Sequence, residues 1–319
     1  MYGAIIGDIV GSRWEFNPTN DYHFEWLSSE NGFTDDTICT IAVADALLKG
    51  KDFGESIHEW CRRYQHPMGG YGGRFRQWVH SEHPQPYGSF GNGSAMRVSP
   101  VAFWYDTEKE VLDAAAATAN PTHNHPEGIK GAQTVALAIF KALSYHRFRE
   151  APWHIDEILQ ACVDFSGYDI NMPKSTVLNK FDETCQGTVP VALKIISMAT
   201  CYEDAVRMAV SLGADADTLG AIVGSIAEAI WGIPFAMSRE IEHQYLPEEM
   251  YDVLLRFHHE RSNSFKPLID TTFSQKTYSD VAWDLLPDDE RAELMSIVDQ
   301  EKDEIRSMMA ERAKARHNW

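Results

Sequence analysis

The sequence has few cysteines and no long uninterrupted run of apolar residues. Its five cysteines are an odd number in a chain of 319 residues, and most fall inside apolar helical patterns such as TICTIA and LQACVDF. We therefore expect reduced thiols in or near the core, as is typical of a cytoplasmic protein. The first segment, MYGAIIGDIVGS, lacks a basic region and is interrupted by Asp8. We expect neither a targeting segment nor a membrane segment.

Basic residues are also scarce. The chain has 28 Lys and Arg against 47 Asp and Glu, which gives a formal charge of -19. Nonspecific binding to nucleic acid depends on clustered Lys and Arg that displace counterions, so this balance argues against such a partner. The length and the apolar content of 44% allow a large core. We expect a single domain over residues 1–319.

Alternating strand patterns are nearly absent, whereas apolar residues recur at helical spacing, so the sequence predicts an all-α fold. The predicted helices are 36–48, 109–118, 128–144, 189–199, 203–212 and 218–231. Long Gly- and Pro-rich segments at 65–78 and 83–100 are typical of functional loops. From about 240 to 319 we expect peripheral C-terminal helices, including a highly charged segment at 287–316.

The N-terminal helical pattern carries glycines four residues apart at Gly3, Gly7 and Gly11. This spacing leaves a bare stripe on one side of a helix and lets a neighbouring helix approach closely. Asp8 lies beside the stripe, and two helical turns would place it on the same face as Glu15. A buried acid at such a position needs a partner.

Two expected helix starts share a pattern of hydroxyl and carboxylate side chains. These side chains are Thr34, Asp35 and Asp36 in FTDDT and Asp215, Asp217 and Thr218 in GADADT. Each set could simply cap its helix and complement the helix dipole. If the two starts face each other, however, four carboxylates and two hydroxyls meet in a small volume and need a cation. Such oxygen ligands favour Mg²⁺ or Mn²⁺ over Zn²⁺, and their number suffices for two ions that share aspartates.

Five segments occur in an order that resembles one known family. They are GAIIGDIVGSRWEF (3–16), FTDDT (33–37), GNGSAMRVSP (91–100), THNHPEG (122–128) and GADADTLGAIVGSIAEAIWG (213–232). The set is similar to the ADP-ribosylglycohydrolases, which include dinitrogenase reductase-activating glycohydrolase and the eukaryotic ADP-ribosylhydrolases. The resemblance implies a compact orthogonal helical bundle with a binuclear magnesium or manganese cleft.

The implied reaction cleaves the glycosidic bond at the distal ribose and so removes ADP-ribose from a modified protein or small molecule. By this resemblance the six residues of the two helix starts bind the metal ions, and Glu15 stands over the scissile bond. Asp36 or Asp217 is the candidate to accept a proton from the attacking water. The implied substrate-binding residues are Gly91, Asn92, Gly93, Ser94, Ala95 and Met96 around the diphosphate and ribose, and His123 near the nucleotide.

Other interpretations of these motifs stay open at this point. GNGSAMR could be a plain turn, and His123 with His125 could form a local turn that caps the helix from Glu127, or a zinc site. The site could also bind ADP-ribose without catalysis, or belong to a metal-dependent phosphohydrolase.

The sequence departs from the family pattern at two places. Ala214 and Ala216 interrupt the usual GGDTDT, which removes one hydroxyl but no carboxylate. Pro190 and Val191 replace residues that commonly lie near the cleft, which leaves substrate choice open. Because an acidic surface could attract Arg-rich substrates, we favour ADP-ribosylarginine over other ADP-ribosyl linkages.

Overall fold

The structure is a computed structural model that describes residues 1–147, 155–234, 237–238, 241 and 244–262. Over these residues it is helical, without a strand, and an isolated bridge joins Gly91 to Thr184. The all-α prediction is confirmed. The helices are α1 (Tyr2–Ser12), α2 (Asp35–Lys49), α3 (Phe53–Arg63), α4 (Gly73–His80), α5 (Gly93–Met96), α6 (Ser99–Trp104), α7 (Glu108–Ala119), α8 (Pro126–Arg147), α9 (Ile155–Ser166), α10 (Cys185–Met198), α11 (Tyr202–Val210), α12 (Ala216–Trp231) and α13 (Glu248–Ser262).

Helices α8 and α12 lie at the centre of the bundle. Helix α8 packs against α7, α9, α10 and α12, and α12 also packs against α1 and α11. The sequence of α12 is apolar or small on nearly every face, and burial on all sides follows from that composition. This arrangement fixes the start of α12 inside the protein rather than at its surface.

The glycine stripe of α1 lies against small residues of α12, as the four-residue spacing predicted. Added Cβ atoms at Gly3 and Gly7 would overlap the backbone carbonyls of Gly224 and Gly220. At Gly11 the neighbour is the backbone of Ala216, the first residue of α12. The two helices are therefore in backbone contact along their length, and Asp8 on α1 lies close to the start of α12.

Replacing Gly7 with alanine is expected to lower the free energy of unfolding by about 3 kcal/mol. The added methyl group overlaps the backbone of Gly220, and relieving the overlap would require the two packed helices to move apart. Urea denaturation measures this change. Gly73→Ala is the matched control, since no atom lies within 4 Å of its added Cβ and its stability should not fall. Equal stability of the two variants would contradict the close packing of α1 on α12.

The cysteine prediction holds in four of five positions. Cys39, Cys61, Cys162 and Cys185 are buried, and all five cysteines are unpaired thiols. Cys201 is exposed, so its placement in or near the core was wrong. It lies immediately before α11, at a helix end where the chain turns at the surface.

The last helix among the described residues is α13, which packs against α2. Near its end Arg261 donates a hydrogen bond to the carbonyl of Phe103 at 2.9 Å. The predicted charged helix over 287–316 lies outside the described residues. Across the part of the chain that is described, no helix is both long and apolar enough to cross a membrane.

Candidate metal and substrate cleft

The starts of α2 and α12 do face each other, and they meet the middle of α1. One carboxylate oxygen each from Asp8, Asp36 and Asp217 lies within 4.8 Å of the others. A second group with the same spacing consists of Glu15, Asp215 and Asp217. Asp217 belongs to both groups, so the five carboxylates form one continuous cluster.

Glu15 reaches this cluster by a different route from the one its spacing suggested. Helix α1 ends at Ser12, so Asp8 and Glu15 do not share a helical face, and that prediction was wrong. The chain turns after Ser12 and brings the Glu15 carboxylate against Gly69 in the predicted 65–78 loop. Gly69 has a φ of +74°, and an added Cβ there would overlap a Glu15 oxygen. A glycine at this position leaves room for the carboxylate.

Asp8 holds the start of α2 in place. Its carboxylate accepts hydrogen bonds from the Thr34 amide at 3.0 Å, the Thr34 hydroxyl at 2.7 Å and the Thr37 amide at 3.1 Å, and also from the Thr37 hydroxyl. Thr34 in turn caps α2 by accepting from the Asp36 amide at 3.2 Å. Because both oxygens of Asp8 are used in this way, its role is to position the helix start. The N-cap interpretation of Thr34 is therefore correct, and its hydroxyl also contacts Asp8 of the carboxylate cluster.

Two aspartate oxygens in the cluster have no hydrogen-bond partner. Asp36 accepts from the Thr218 hydroxyl at 3.2 Å through Oδ2, which also lies 3.3 Å from the Thr34 hydroxyl oxygen, whereas its buried Oδ1 accepts no hydrogen bond. The buried Oδ1 of Asp217 is unpartnered as well. A buried carboxylate oxygen without a donor is costly, and a cation is the partner that would remove this cost. The residues therefore fit a metal ion with oxygen ligands.

Burial raises the pKa of the carboxylates in the cluster and of the adjacent Asp35, and repulsion from neighbouring carboxylates adds to this for Glu15, Asp35, Asp36 and Asp217. Burial raises the pKa of Asp8 and of Asp215 to about 6. Burial and the nearby Asp8 raise the pKa of Asp35 to about 7, and burial together with Asp215 raises that of Glu15 to about 8. The pKa of Asp36 is raised well above its usual range by burial and by Asp8. The metal-free cluster therefore binds protons near neutral pH.

Metal stabilisation should increase with pH. The raised pKa values mean that the native metal-free chain holds protons that the unfolded chain releases near pH 4, so its stability falls as pH rises from about 4 towards the Glu15 pKa of about 8. Metal ions bind the deprotonated carboxylates and offset this loss. The rise in melting temperature on adding Mn²⁺ should be larger at pH 8 than at pH 5.5. An equal rise at both pH values would show that these carboxylates do not bind the ion.

The cluster forms the floor of a cleft of about 490 Å³. Of the predicted glycine loop, Gly91, Asn92, Gly93 and Met96 line this cleft. Ser94 and Ala95 are buried, and the Ser94 hydroxyl donates to the carbonyl of Gly128 at 2.7 Å, away from the cleft.

The glycine loop is also hydrogen-bonded to the carboxylate cluster. Asn92 Nδ2 donates to Asp215 at 2.7 Å, and the Asn92 amide donates to the carbonyl of Glu183 at 2.7 Å. The amides of Ala95 and Met96 both donate to the carbonyl of Asn92. These three amides are thus used within the protein, so contacts to a diphosphate would have to come from other groups of the cleft.

The two histidines of PTHNHP occupy different environments. His123 lines the cleft, is 5% exposed, and places Nδ1 2.7 Å from the Thr122 hydroxyl. Burial, Arg97 and Arg74 lower its pKa well below the usual range, so the ring is neutral. His125 Nδ1 accepts from the Glu127 amide at 3.1 Å, which matches the local capping turn rather than a zinc site. The metal-capable groups found among the described residues contain no histidine.

A second cavity of about 360 Å³ adjoins the cleft at Asp215. Pro190 and Val191, where the sequence departs from the family pattern, line this cavity and not the cleft. They share this cavity with Thr188 and with Asp215, the member of the carboxylate cluster that lines both spaces.

Sequence reasoning missed several residues of the cleft. Asp8 was recognised only as a buried acid in need of a partner, and Arg74, Tyr87 and Glu183 were not singled out. Arg74 stacks on Tyr87, with its guanidinium 4.8 Å from the ring centroid, and both line the cleft together with Glu183. Asp8 could have been found from the sequence, because it is an acidic residue inside an apolar helical pattern. Exposed loop residues such as Glu183 have no sequence pattern that marks them as part of a site.

The fold and the cleft together define an all-α protein with a candidate metal-dependent active site. The ADP-ribosylglycohydrolase family model matches residues 1–265, so the chain belongs to the ADP-ribosylglycohydrolase family and is a hydrolase of that class. It is 26% identical to ADP-ribosylhydrolase ARH3 of Mus musculus, over 73% of this chain and 83% of that protein. It is 24% identical to ADP-ribosylarginine hydrolase Tri1 of Pseudomonas putida, over 79% of this chain and 76% of that protein.

A solved structure shares the fold. It is described as an ADP-ribosylglycohydrolase-related protein complex, and it aligns with a TM-score of 0.61 at 24% identity. The alignment covers 81% of this chain and 95% of that chain. The family match excludes the unrelated phosphohydrolase that the acidic helix starts had left open.

Proposed function

We propose that this chain hydrolyses the bond between the distal ribose of ADP-ribose and an arginine side chain, with two Mg²⁺ or Mn²⁺ ions in the carboxylate cluster. The observation that carries the proposal is Asp217, whose carboxylate belongs to both oxygen groups and has an unpartnered buried atom. The name of Tri1 states arginine as its linkage, and the acidic cleft suits a cationic leaving group. The alternatives are another ADP-ribosyl linkage and binding without catalysis.

The metal ions would be held by Thr34, Asp35, Asp36 and, on α12, by Asp215, Asp217 and Thr218. Asp35 lines the cleft beside Asp36, and the Thr218 hydroxyl lies 3.2 Å from Asp36 Oδ2, which keeps these groups together. When bound, the ions supply positive charge that can activate water and fix the ribose diol. The acidic cluster thus supports such a centre through its number of oxygens and its two unpartnered atoms.

The chain's own residues would then carry out the proton transfers. Water attacks the anomeric carbon of the distal ribose while the carbon–nitrogen bond to the guanidinium breaks, in an oxocarbenium-like transition state. Asp36 or Asp217 is the candidate to accept the proton of that water. The leaving guanidine takes up a proton as it departs, either from the Glu15 carboxyl or from the aspartate that accepted the proton of the water. Glu15, at the edge of the cluster and in the cleft lining, positions the ribose or assists this departure.

Substrate binding would use the opposite wall of the cleft. Gly91, Asn92, Gly93 and Met96 offer a small-residue surface for the diphosphate and ribose, and neutral His123 faces the same space. Arg74 is the exposed cation of this lining and is held on Tyr87. Its charge would pair with the diphosphate, because a guanidinium matches phosphate oxygens well.

The test is release of free ADP-ribose. Purified protein is incubated with an arginine-ADP-ribosylated protein and with a serine-ADP-ribosylated peptide, each with Mg²⁺, with Mn²⁺ and with chelator. The proposal expects metal-dependent release from the arginine substrate. Release from the serine substrate alone would show that the enzyme cleaves the serine linkage and not the arginine linkage. No release from either substrate, together with tight ADP-ribose binding by calorimetry, would favour a binding protein.

A further inference from the structure

Two exposed phenylalanine rings stack beside the cleft, Phe16 in its lining and Phe181 against Phe16. Phe16 is 71% exposed and Phe181 46% exposed, and their rings stack with centroids 6.1 Å apart at an interplanar angle of 26°. Phe16 follows Glu15 directly and lines the cleft. The exposed ring faces at the cleft are available to a ligand that enters it.

Two carboxylates of the cleft lining lie close to the pair in the sequence, Glu15 before Phe16 and Glu183 after Phe181. Glu183, two residues after Phe181, is exposed and lines the cleft, and it is close enough to raise the pKa of Glu15 and of Asp215. The cations of the cleft lining act elsewhere: Arg74 is stacked on Tyr87, and Arg97 is buried against Thr118 and Thr122. The cleft therefore has a cationic wall beside His123 and an acidic, aromatic wall beside Glu15.

The different charges of the two walls would orient a bound substrate in the cleft. The diphosphate is anionic and suits the wall that carries Arg74. The group on the other side of the distal ribose then lies beside Glu15, towards Phe16, Phe181 and Glu183. A guanidinium stacks on aromatic faces and pairs with carboxylates in a planar, two-point geometry, whereas a serine oxygen gains from neither.

We propose that Phe16, Phe181 and Glu183 form a platform that binds the guanidinium of the ADP-ribosylated arginine and selects it over serine. The inference rests on the proposed function and names its specificity-determining residues. The platform acts on the leaving group alone, so it leaves the affinity for ADP-ribose unchanged. Its effect is confined to substrates that carry the guanidinium.

The experiment compares the wild-type chain with a Phe16→Leu/Phe181→Leu double variant, which keeps apolar bulk and removes the ring faces. The double variant is expected to lose about tenfold in kcat/KM on ADP-ribosylarginine, through KM, and to keep its rate on ADP-ribosylserine peptide. Phe16→Tyr/Phe181→Tyr should retain the arginine rate, because the ring faces are preserved. Phe165→Leu, an exposed phenylalanine on α9, is the matched control and should change nothing.

Two further outcomes separate the inference from the proposed function. Equal loss on both substrates, or no loss on arginine, would overturn the platform while leaving the hydrolase intact. If the wild-type chain releases ADP-ribose from neither substrate, the proposed function falls. Calorimetry then tests the platform on its own: the wild type should bind ADP-ribosylarginine more tightly than ADP-ribose, and the double leucine variant, which keeps Glu183, should show a smaller difference; an undiminished difference would overturn the platform.

Discussion

Asp217→Asn is expected to lower kcat by about 10³-fold and to reduce the amount of bound Mn²⁺. Asp217 supplies an oxygen to both carboxylate groups, and its buried Oδ1 has no donor in the protein. An amide keeps the shape of the side chain but removes the negative charge that would hold a cation. Release of ADP-ribose and metal content by mass spectrometry measure the two effects.

A matched variant separates this loss from general damage. Asp45, on α2, is another buried aspartate with an unpartnered Oδ1, but it lies outside the cleft lining and its Oδ2 accepts from Trp60 Nε1 at 3.0 Å and from Lys49 Nζ at 2.8 Å. Asp45→Asn should lower stability and leave metal content and turnover near wild type. If Asp217→Asn kept full turnover with unchanged metal content, the metal assignment would be wrong.

Asp8→Asn is expected to weaken metal binding by about 10- to 100-fold without touching a proposed ligand. The Asp8 carboxylate accepts hydrogen bonds from backbone and hydroxyl groups of Thr34 and Thr37, and an amide cannot accept all of them. The start of α2 would then lose its fixed position, and Thr34 and Asp36 with it. Activity measured against Mn²⁺ concentration should shift to higher concentration and recover in part at saturation.

The comparison variant for Asp8 is Thr37→Val, which removes one hydroxyl donor and keeps the carboxylate. It should shift the Mn²⁺ requirement in the same direction but by less. Loss of activity in Asp8→Asn that high Mn²⁺ does not reduce, with metal affinity unchanged, would assign Asp8 a chemical role instead of a positioning one.

The acidic helix starts and the glycine stripe could be predicted because each depends on local sequence. A hydroxyl followed by carboxylates at the first turn of an apolar helix has a fixed position relative to that helix. Glycines at Gly3, Gly7 and Gly11 specify close packing whatever the partner is. Local sequence could not show that the starts of α2 and α12 meet, because that depends on tertiary structure. The backbone contact of α1 with α12 brings the start of α12 to Asp8, which holds the start of α2.

Other parts of the site could not be predicted from spacing. Glu15 reaches the cluster through a turn after Ser12, and helical periodicity carries no information about such a turn. Arg74 and Glu183 belong to exposed segments, where side-chain type does not report burial or neighbours. In the glycine loop a short helix forms at Gly93–Met96 and buries Ser94 and Ala95. The sequence did not indicate this helix.

The most direct test of the central claim is a crystal structure of the protein with Mn²⁺ and ADP-ribose, analysed by anomalous scattering. The account predicts two manganese peaks within reach of Asp217, one on the side of Asp36 and one on the side of Asp215, with the distal ribose over them. Absence of manganese from this cluster, with ADP-ribose bound in the cleft or elsewhere, would contradict a metal-dependent active site built from these carboxylates.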